Sequence, residues 1–284
     1  MNEKHVKKIT QRIIDDLGKG GIPPWRKPFS SKMPMNLETK HVFTGANSFI
    51  FHPMVSGYQS HLWVTYLGAK ALGGHVTPGE KCTWGKIRKS GKDKKTGEPW
   101  FSYSSKDYYN IEQCTGIEIP KDRENVAKIV AAEDIVKNMQ NPPSIYTSSA
   151  GACYIPRLDE VRMPQQKSFV SDEEYYCTLF HELIHSTMHA SRLDRKIEGF
   201  DSYAHEYSAE ELVAEIGAAF LCSMAGIEGV YDNSVSYIKH WHLRLSEEPN
   251  ILIKSAALAE KAFRYIAGDN DVALCEEATA DKAA

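Results

Sequence analysis

His181-Glu182-Leu183-Ile184-His185 is the stretch of this 284-residue chain whose side chains could do chemistry together. In a helix, residues four apart lie one above the other, so His181 and His185 can grip a single ion from one face. Glu182 stands about 100° further round the helix, placed to reach a metal-held water without becoming a ligand itself. Such an ion would acidify the water and polarise a carbonyl. Glu182 would take the proton and pass it to a leaving amine. Zinc is the expected ion for such a set, with another divalent metal such as manganese as the alternative.

A hydrolytic site needs a third protein ligand and an open coordination position. The longer HExxHxxGxxH pattern is absent, because Met188 occupies the glycine position. His189 lies two turns from His181, roughly 12 Å along the axis, too far to share its ion. The following helical stretch offers Glu210, Glu211 and Glu215. Glu211 and Glu215 share a face, so one can ligate while the other orients a ligand histidine through its second ring nitrogen. Ser208 and Glu211 also fit a capping box, in which case Glu211 serves only the helix end. Tyr154, Tyr203, His205 and Tyr207 are candidate donors to charge developing in a reaction.

These side chains need rigid elements. Ser171 with Glu174 three residues later predicts the start of a helix over 172–191, with Asp172, Glu173 and Glu174 at the positive end of its dipole. Ala214, Gly217, Ala218 and Ala219 would let a second helix, over 209–225, approach it closely. Further helices are expected near 233–246 and 250–267, and one over 126–141. Residues 152–163 read as two short strands around a turn, a possible edge for an extended peptide. Upstream, Val6, Ile9, Ile13, Ile14 and Leu17 define an amphipathic helix over 3–17. Residues 47–52 suit a short strand or buried turn, and Trp63 to Leu72 a helix closed by Gly73-Gly74. Residues 81–88 and 99–114 predict an antiparallel hairpin with a lysine-rich tip.

Charge divides along the same line. Residues 1–120 hold 18 Lys and Arg against 10 Asp and Glu, a net of +8, while 121–284 hold 16 against 27, a net of −11. A basic half suggests a polyanionic partner. Single strands are bound by cations plus aromatic faces on which bases stack. Trp25, Arg26, Lys27, Lys32, Lys81, Arg88, Lys89, Lys92, Lys94, Lys95, Trp100 and Tyr103 are the candidates. The domain boundary is expected between 115 and 125, giving a domain over 1–120, a second over 126–268 and a disordered acidic tail over 269–284. The six cysteines form no CxxC pair and read as reduced cytosolic thiols. No apolar run could span a bilayer, and the polar start of the chain resembles no secretory signal, so a cytoplasmic protein is expected.

Several ordered blocks carry a likeness to a known family. They are Trp25 with Pro28-Phe29, Phe43-Thr44-Gly45-Ala46-Asn47, Trp63-Val64-Thr65-Tyr66 and Gly73-Gly74-His75-Val76-Thr77-Pro78-Gly79. Tyr154-Ile155-Pro156-Arg157, the HExxH segment, Tyr207 to Glu215 and Tyr237-Ile238-Lys239-His240-Trp241 follow. Along nearly its whole length the chain resembles the ArdC-type antirestriction proteins of conjugative plasmids. That resemblance implies an α+β fold in two domains: an N-terminal α+β domain binding single-stranded DNA, and a mostly helical, zincin-like domain of gluzincin type. It implies protection of incoming plasmid DNA from host restriction, with a protein substrate or restriction component as a further partner. It also favours Glu211 as third ligand and Glu215 as its supporting carboxylate. Two rival readings are a cytosolic metallopeptidase without a DNA role, and a non-catalytic DNA-binding protein with a structural metal.

Overall fold

The computed structural model of the chain describes residues 3–26, 32–92, 96–119, 128–195, 209–227 and 235–268. Ile9, Ile13, Ile14 and Leu17 line the buried side of helix α1 (Glu3–Gly18), as their spacing predicts. Strand β1 (Met35–Asn36), helices α2 (Ala46–Phe51) and α3 (Pro53–Ser56), strand β2 (Leu62–Val64), helix α4 (Tyr66–Ala71) and strand β3 (His75–Val76) follow. Long strands β4 (Thr83–Lys92) and β5 (Pro99–Asn110) and the short β6 (Cys114–Thr115) complete this half. One sheet has the order β1-β2-β5-β4, with β1 parallel to β2 and the other neighbours antiparallel; β3 and β6 form a separate pair.

Two expectations are corrected here. Residues 47–51 fold as helix rather than as a strand or buried turn, with His52 extended just beyond it, because Ser48, Phe49, Ile50 and Phe51 are all buried and the run carries no period from which to tell helix from strand. Helix α4 begins only at Tyr66. Leu62, Trp63 and Val64 form a fully buried strand, and the Thr65 hydroxyl ends it by accepting the Gly68 N–H at 2.9 Å, an N-cap. The expected hairpin is present as β4–β5, in register from Thr83 opposite Tyr108 to Lys92 opposite Pro99. Asn47 pins its base: its amide donates to the Lys86 carbonyl at 2.6 Å and accepts the Lys86 N–H at 2.8 Å, as a neighbouring strand would.

The second half runs through helix α5 (Lys128–Asn138), strands β7 (Ser144–Thr147), β8 (Cys153–Ile155) and β9 (Glu160–Met163), and helices α6 (Asp172–Ser186), α7 (Ala209–Ala225), α8 (Val235–Glu247) and α9 (Asn250–Ala267). Its sheet has the order β7-β9-β8, so β8 is an edge. Helix α6 stops five residues before the expected 191. The hydroxyls of Ser186 and Thr187 fold back onto the Leu183 and Ile184 carbonyls, both at 2.7 Å. Arg192 and Arg195 then take the Ser186 and Ile184 carbonyls at 2.7 and 3.0 Å, so the helix end is satisfied by side chains. A Cβ on Gly217 would sit 2.6 Å from Ile184, so only glycine permits this approach of α7 to α6.

Both halves contribute to one hydrophobic core. Helix α1 packs on α8 and α9, α2 on α9, and Trp25 lies edge-on to Trp241 at 5.7 Å. Among the described residues, no helix is long and apolar enough to cross a membrane. Cys82, Cys114, Cys153, Cys177 and Cys222 form no disulfide, and the Cys222 thiol donates to Cys177 Sγ at 3.1 Å.

Candidate metal centre

Helix α6 begins at Ser171, whose hydroxyl accepts the Glu174 N–H at 3.2 Å. The Glu174 carboxylate reaches back one residue further than a capping box requires, to the Val170 N–H at 2.8 Å. Two turns on, the rings of His181 and His185 stand nearly perpendicular, and their Nε2 atoms lie 3.1 Å apart. Helix α7 brings Glu211 against both: Oε2 is 3.4 Å from His181 Nε2 and Oε1 is 3.4 Å from His185 Nε2. Donors bound at about 2.0–2.1 Å in a tetrahedron are separated by roughly 3.3 Å, so these three fit one face of such a site. Together they form the cluster among the described residues that could hold a metal ion.

The outer contacts differ from expectation. Glu210, not Glu215, meets the second nitrogen of a ligand ring, with Oε1 3.2 Å from His185 Nδ1. A carboxylate only accepts, so Nδ1–H donates and Nε2 of the neutral ring is left for the metal. Arg195 holds Glu210 through both oxygens, at 2.8 and 2.9 Å. Glu215, expected to support a histidine, is turned away. Arg26 meets both its oxygens, Nε to Oε2 at 3.1 Å, and the Tyr237 hydroxyl donates to it at 3.0 Å. Glu215 shares a helix face with Glu211, but the buried guanidinium claims it. The sequence marks Glu210 only as a ligand candidate, and Arg195, its partner, carries no signal there.

Glu182 is buried beside the ligands. Helix α6 packs on strand β8, where burial and, less strongly, the Glu182 carboxylate raise the Cys153 thiol pKa. Tyr154 is not free to act as a donor: its hydroxyl donates to Asp159 at 2.9 Å, and burial with that bond pushes its pKa up to about 12. Tyr203, His205, Tyr207 and Ser208 lie outside the described residues.

The candidate strand-binding residues separate. Trp25 is fully buried, and its indole N–H donates to the Tyr237 hydroxyl at 3.2 Å, so it is core and not a stacking platform. Arg26 is committed to Glu215 and lies 3.9 Å over the Tyr237 ring, which removes it from a phosphate-binding role. Lys27, Lys94 and Lys95 lie outside the described residues. Lys32, Lys81, Arg88, Lys89 and Lys92 are exposed, as are Trp100 and Tyr103. Phe101, absent from those candidates, is 62% exposed. Strand alternation could have found it, since residues 101 and 103 share a face.

A chain with a helix-borne His-His-Glu centre behind a smaller α+β half falls in the class of two-domain zincin-like proteins. Residues 130–258 match the zincin-like metallopeptidase family, and residues 3–115 match the N-terminal domain of the anti-restriction factor ArdC. The crystal structure of the antirestriction ArdC protein of plasmid R388 is 31% identical in its metal-free form, covering 92% of this chain and 96% of that one with a TM-score of 0.72. Its Mn(II)-bound form gives a TM-score of 0.70 at 31% identity, covering 93% and 97%. Two curated relatives, both DNA primase TraC from Escherichia coli, are 31% and 28% identical over 91% and 95% of this chain. The chain spans only 19% and 28% of their length. The chain belongs to the ArdC-type antirestriction family, and its centre is one for a divalent metal ion.

Proposed function

We propose that this chain shields single-stranded plasmid DNA entering a cell from host restriction, holding the strand on its N-terminal half and acting on a protein partner through the centre on α6 and α7. The reading is carried by the likeness over nearly the whole chain to an antirestriction protein with a Mn(II)-bound form. The exposed face of the β4–β5 ribbon supports the DNA role. Arg88 stands 5.1 Å from the Phe101 ring centre and Lys86 3.6 Å from that of Tyr103, so cations and stacking surfaces alternate. Oligo-dT retardation by the full chain is expected to weaken with salt at about −0.7 per phosphate neutralised in a log–log plot. An affinity indifferent to salt would remove phosphate contacts from the account.

Zinc is the default ion for two imidazoles and a carboxylate. Bound here it would supply an acidified water and an electrophile for a carbonyl. Glu182 is held by α6 beside the two histidines, where its carboxylate can take a proton from the water side and return it to a leaving amine. The β8 edge, packed against α6, offers backbone N–H and C=O groups along which an extended peptide can lie. Glu182→Gln is expected to keep full metal content and lose hydrolysis by about 10²–10⁴-fold, the usual worth of a general base. If Glu182→Gln protects a plasmid from restriction during conjugation as well as the parent chain does, catalysis is not the protective step. A cytosolic metallopeptidase would instead hydrolyse its substrate without retarding oligo-dT at all.

A further inference from the structure

We propose that the single-strand site continues beyond the tip of the β4–β5 ribbon, along its outer face to helix α4, where Tyr66 and Lys70 form a second grip; this rests on the DNA reading above. Directly opposed residues of a ribbon share a face. The register therefore puts Arg88 with Tyr103, Lys86 with Ser105 and Trp84 with Asp107 on one side. Tyr108 lies on the other side, turned into the core against Phe43 and Phe51. Alternation carries the outer row from Phe101 and Tyr103 down to Tyr109.

At that end the strip does not stop. Tyr109 stands opposite Val64 of β2, Tyr66 opens α4 two residues further on, and α4 packs on β5. Tyr66, the first residue of α4, is 50% exposed, and Lys70 one turn on places its ammonium 5.0 Å over that ring. This repeats the ring-and-cation pairing of the tip on a different element. Leu67, beside Tyr66, is 74% exposed and adds apolar surface. From Phe101 to Tyr109 the strand rises about 26 Å. Asp107 interrupts the row opposite Trp84 and repels a phosphate, so the two ring-and-cation ends act as separate grips. Alternating rings and cations suit a polyanion with flat bases, and single-strand sites commonly cover about 4–16 nucleotides.

The test uses the full chain with fluorescent oligo-dT of 4 and 12 nucleotides. The 4-mer can engage one grip and the 12-mer both. Tyr66→Ala/Lys70→Ala is expected to lower 12-mer affinity by about tenfold or more, while 4-mer affinity, retained at the tip, changes less than about threefold. Lys70→Glu, a single change at an exposed position of α4, should act in the same direction if the double variant folds poorly. Phe101→Ala/Tyr103→Ala should weaken both oligonucleotides. If the α4 variants bind the 12-mer like the parent chain while the tip variant does not, the site ends on the ribbon and the extension is wrong. If the parent chain binds neither oligonucleotide, the DNA reading itself falls.

Discussion

Glu211→Ala is expected to lower divalent-metal affinity by well over a hundredfold, whereas Glu210→Ala costs only the roughly 10–100-fold of losing an outer hydrogen-bond partner. Glu211 gives one oxygen to each histidine, 3.4 Å from both Nε2 atoms, while Glu210 touches only the far nitrogen of His185. The same geometry governs protons. Burial opposes a charge on His185, but hydrogen bonds to Glu210 and Glu211 outweigh it and raise its pKa to about 10. Burial likewise opposes the Glu211 charge, and the two histidines overcome it, holding this carboxyl well below the usual range. A metal ion must displace the His185 proton, so binding at pH 7 should release about one proton and tighten as pH rises. Titration calorimetry in buffers of different ionisation enthalpy counts that proton. The metal-free fold carries the opposite dependence. The His185 contribution is complete below about pH 6.5 and fades towards 10, and that of Glu211 is complete above about 4.5 and fades on acidification. Thermal melts without metal should therefore peak between those limits. A Glu210 variant that loses more metal than the Glu211 variant would reverse the assignment.

What the sequence disclosed about this centre follows from range. His181, Glu182 and His185 are neighbours on one helix, and helical spacing alone predicts their juxtaposition. Glu211 needs the packing of α7 on α6, and the sequence carried a trace of that in the small residues around Gly217. Whether Glu210 or Glu215 supports a histidine depends on Arg195 and Arg26, which approach α7 from outside it, the one 15 and the other 189 residues away along the chain. No periodicity reports such long-range pairings. The same holds for Trp25: among the cations of the basic half it is a stacking candidate, yet Trp241 and Tyr237, more than two hundred residues on, enclose it. Strands are legible where Trp, Tyr, Phe and Ile cluster on either side of a turn-forming loop, as in β4 and β5. They are lost where burial is complete on both faces, as in β2.

Arg26→Met is expected to cost about 3–5 kcal/mol of stability, because it leaves a buried carboxylate with its cation removed. The Arg26 and Glu215 side chains are only 15% and 9% exposed, so solvent screens the pair little. Tyr237 keeps one hydrogen bond to Glu215 in the variant, but a phenol does not neutralise the charge. Arg26→Met/Glu215→Met should recover most of the loss, since exchanging a buried pair for apolar side chains is often neutral. Denaturant unfolding of the parent, the two single variants and the double variant gives the coupling directly. The experiment also decides between two uses of one residue. Were Arg26 a phosphate contact, as its place among Trp25 and Lys27 suggests, the substitution would weaken oligo-dT binding and spare stability. As a clasp between the first half of the chain and α7, it should do the reverse. The clasp lies one turn beyond Glu211 on that helix, so its loss should also loosen metal binding, and the double variant should restore both. A single variant that unfolds within about 1 kcal/mol of the parent would leave the clasp without energetic weight.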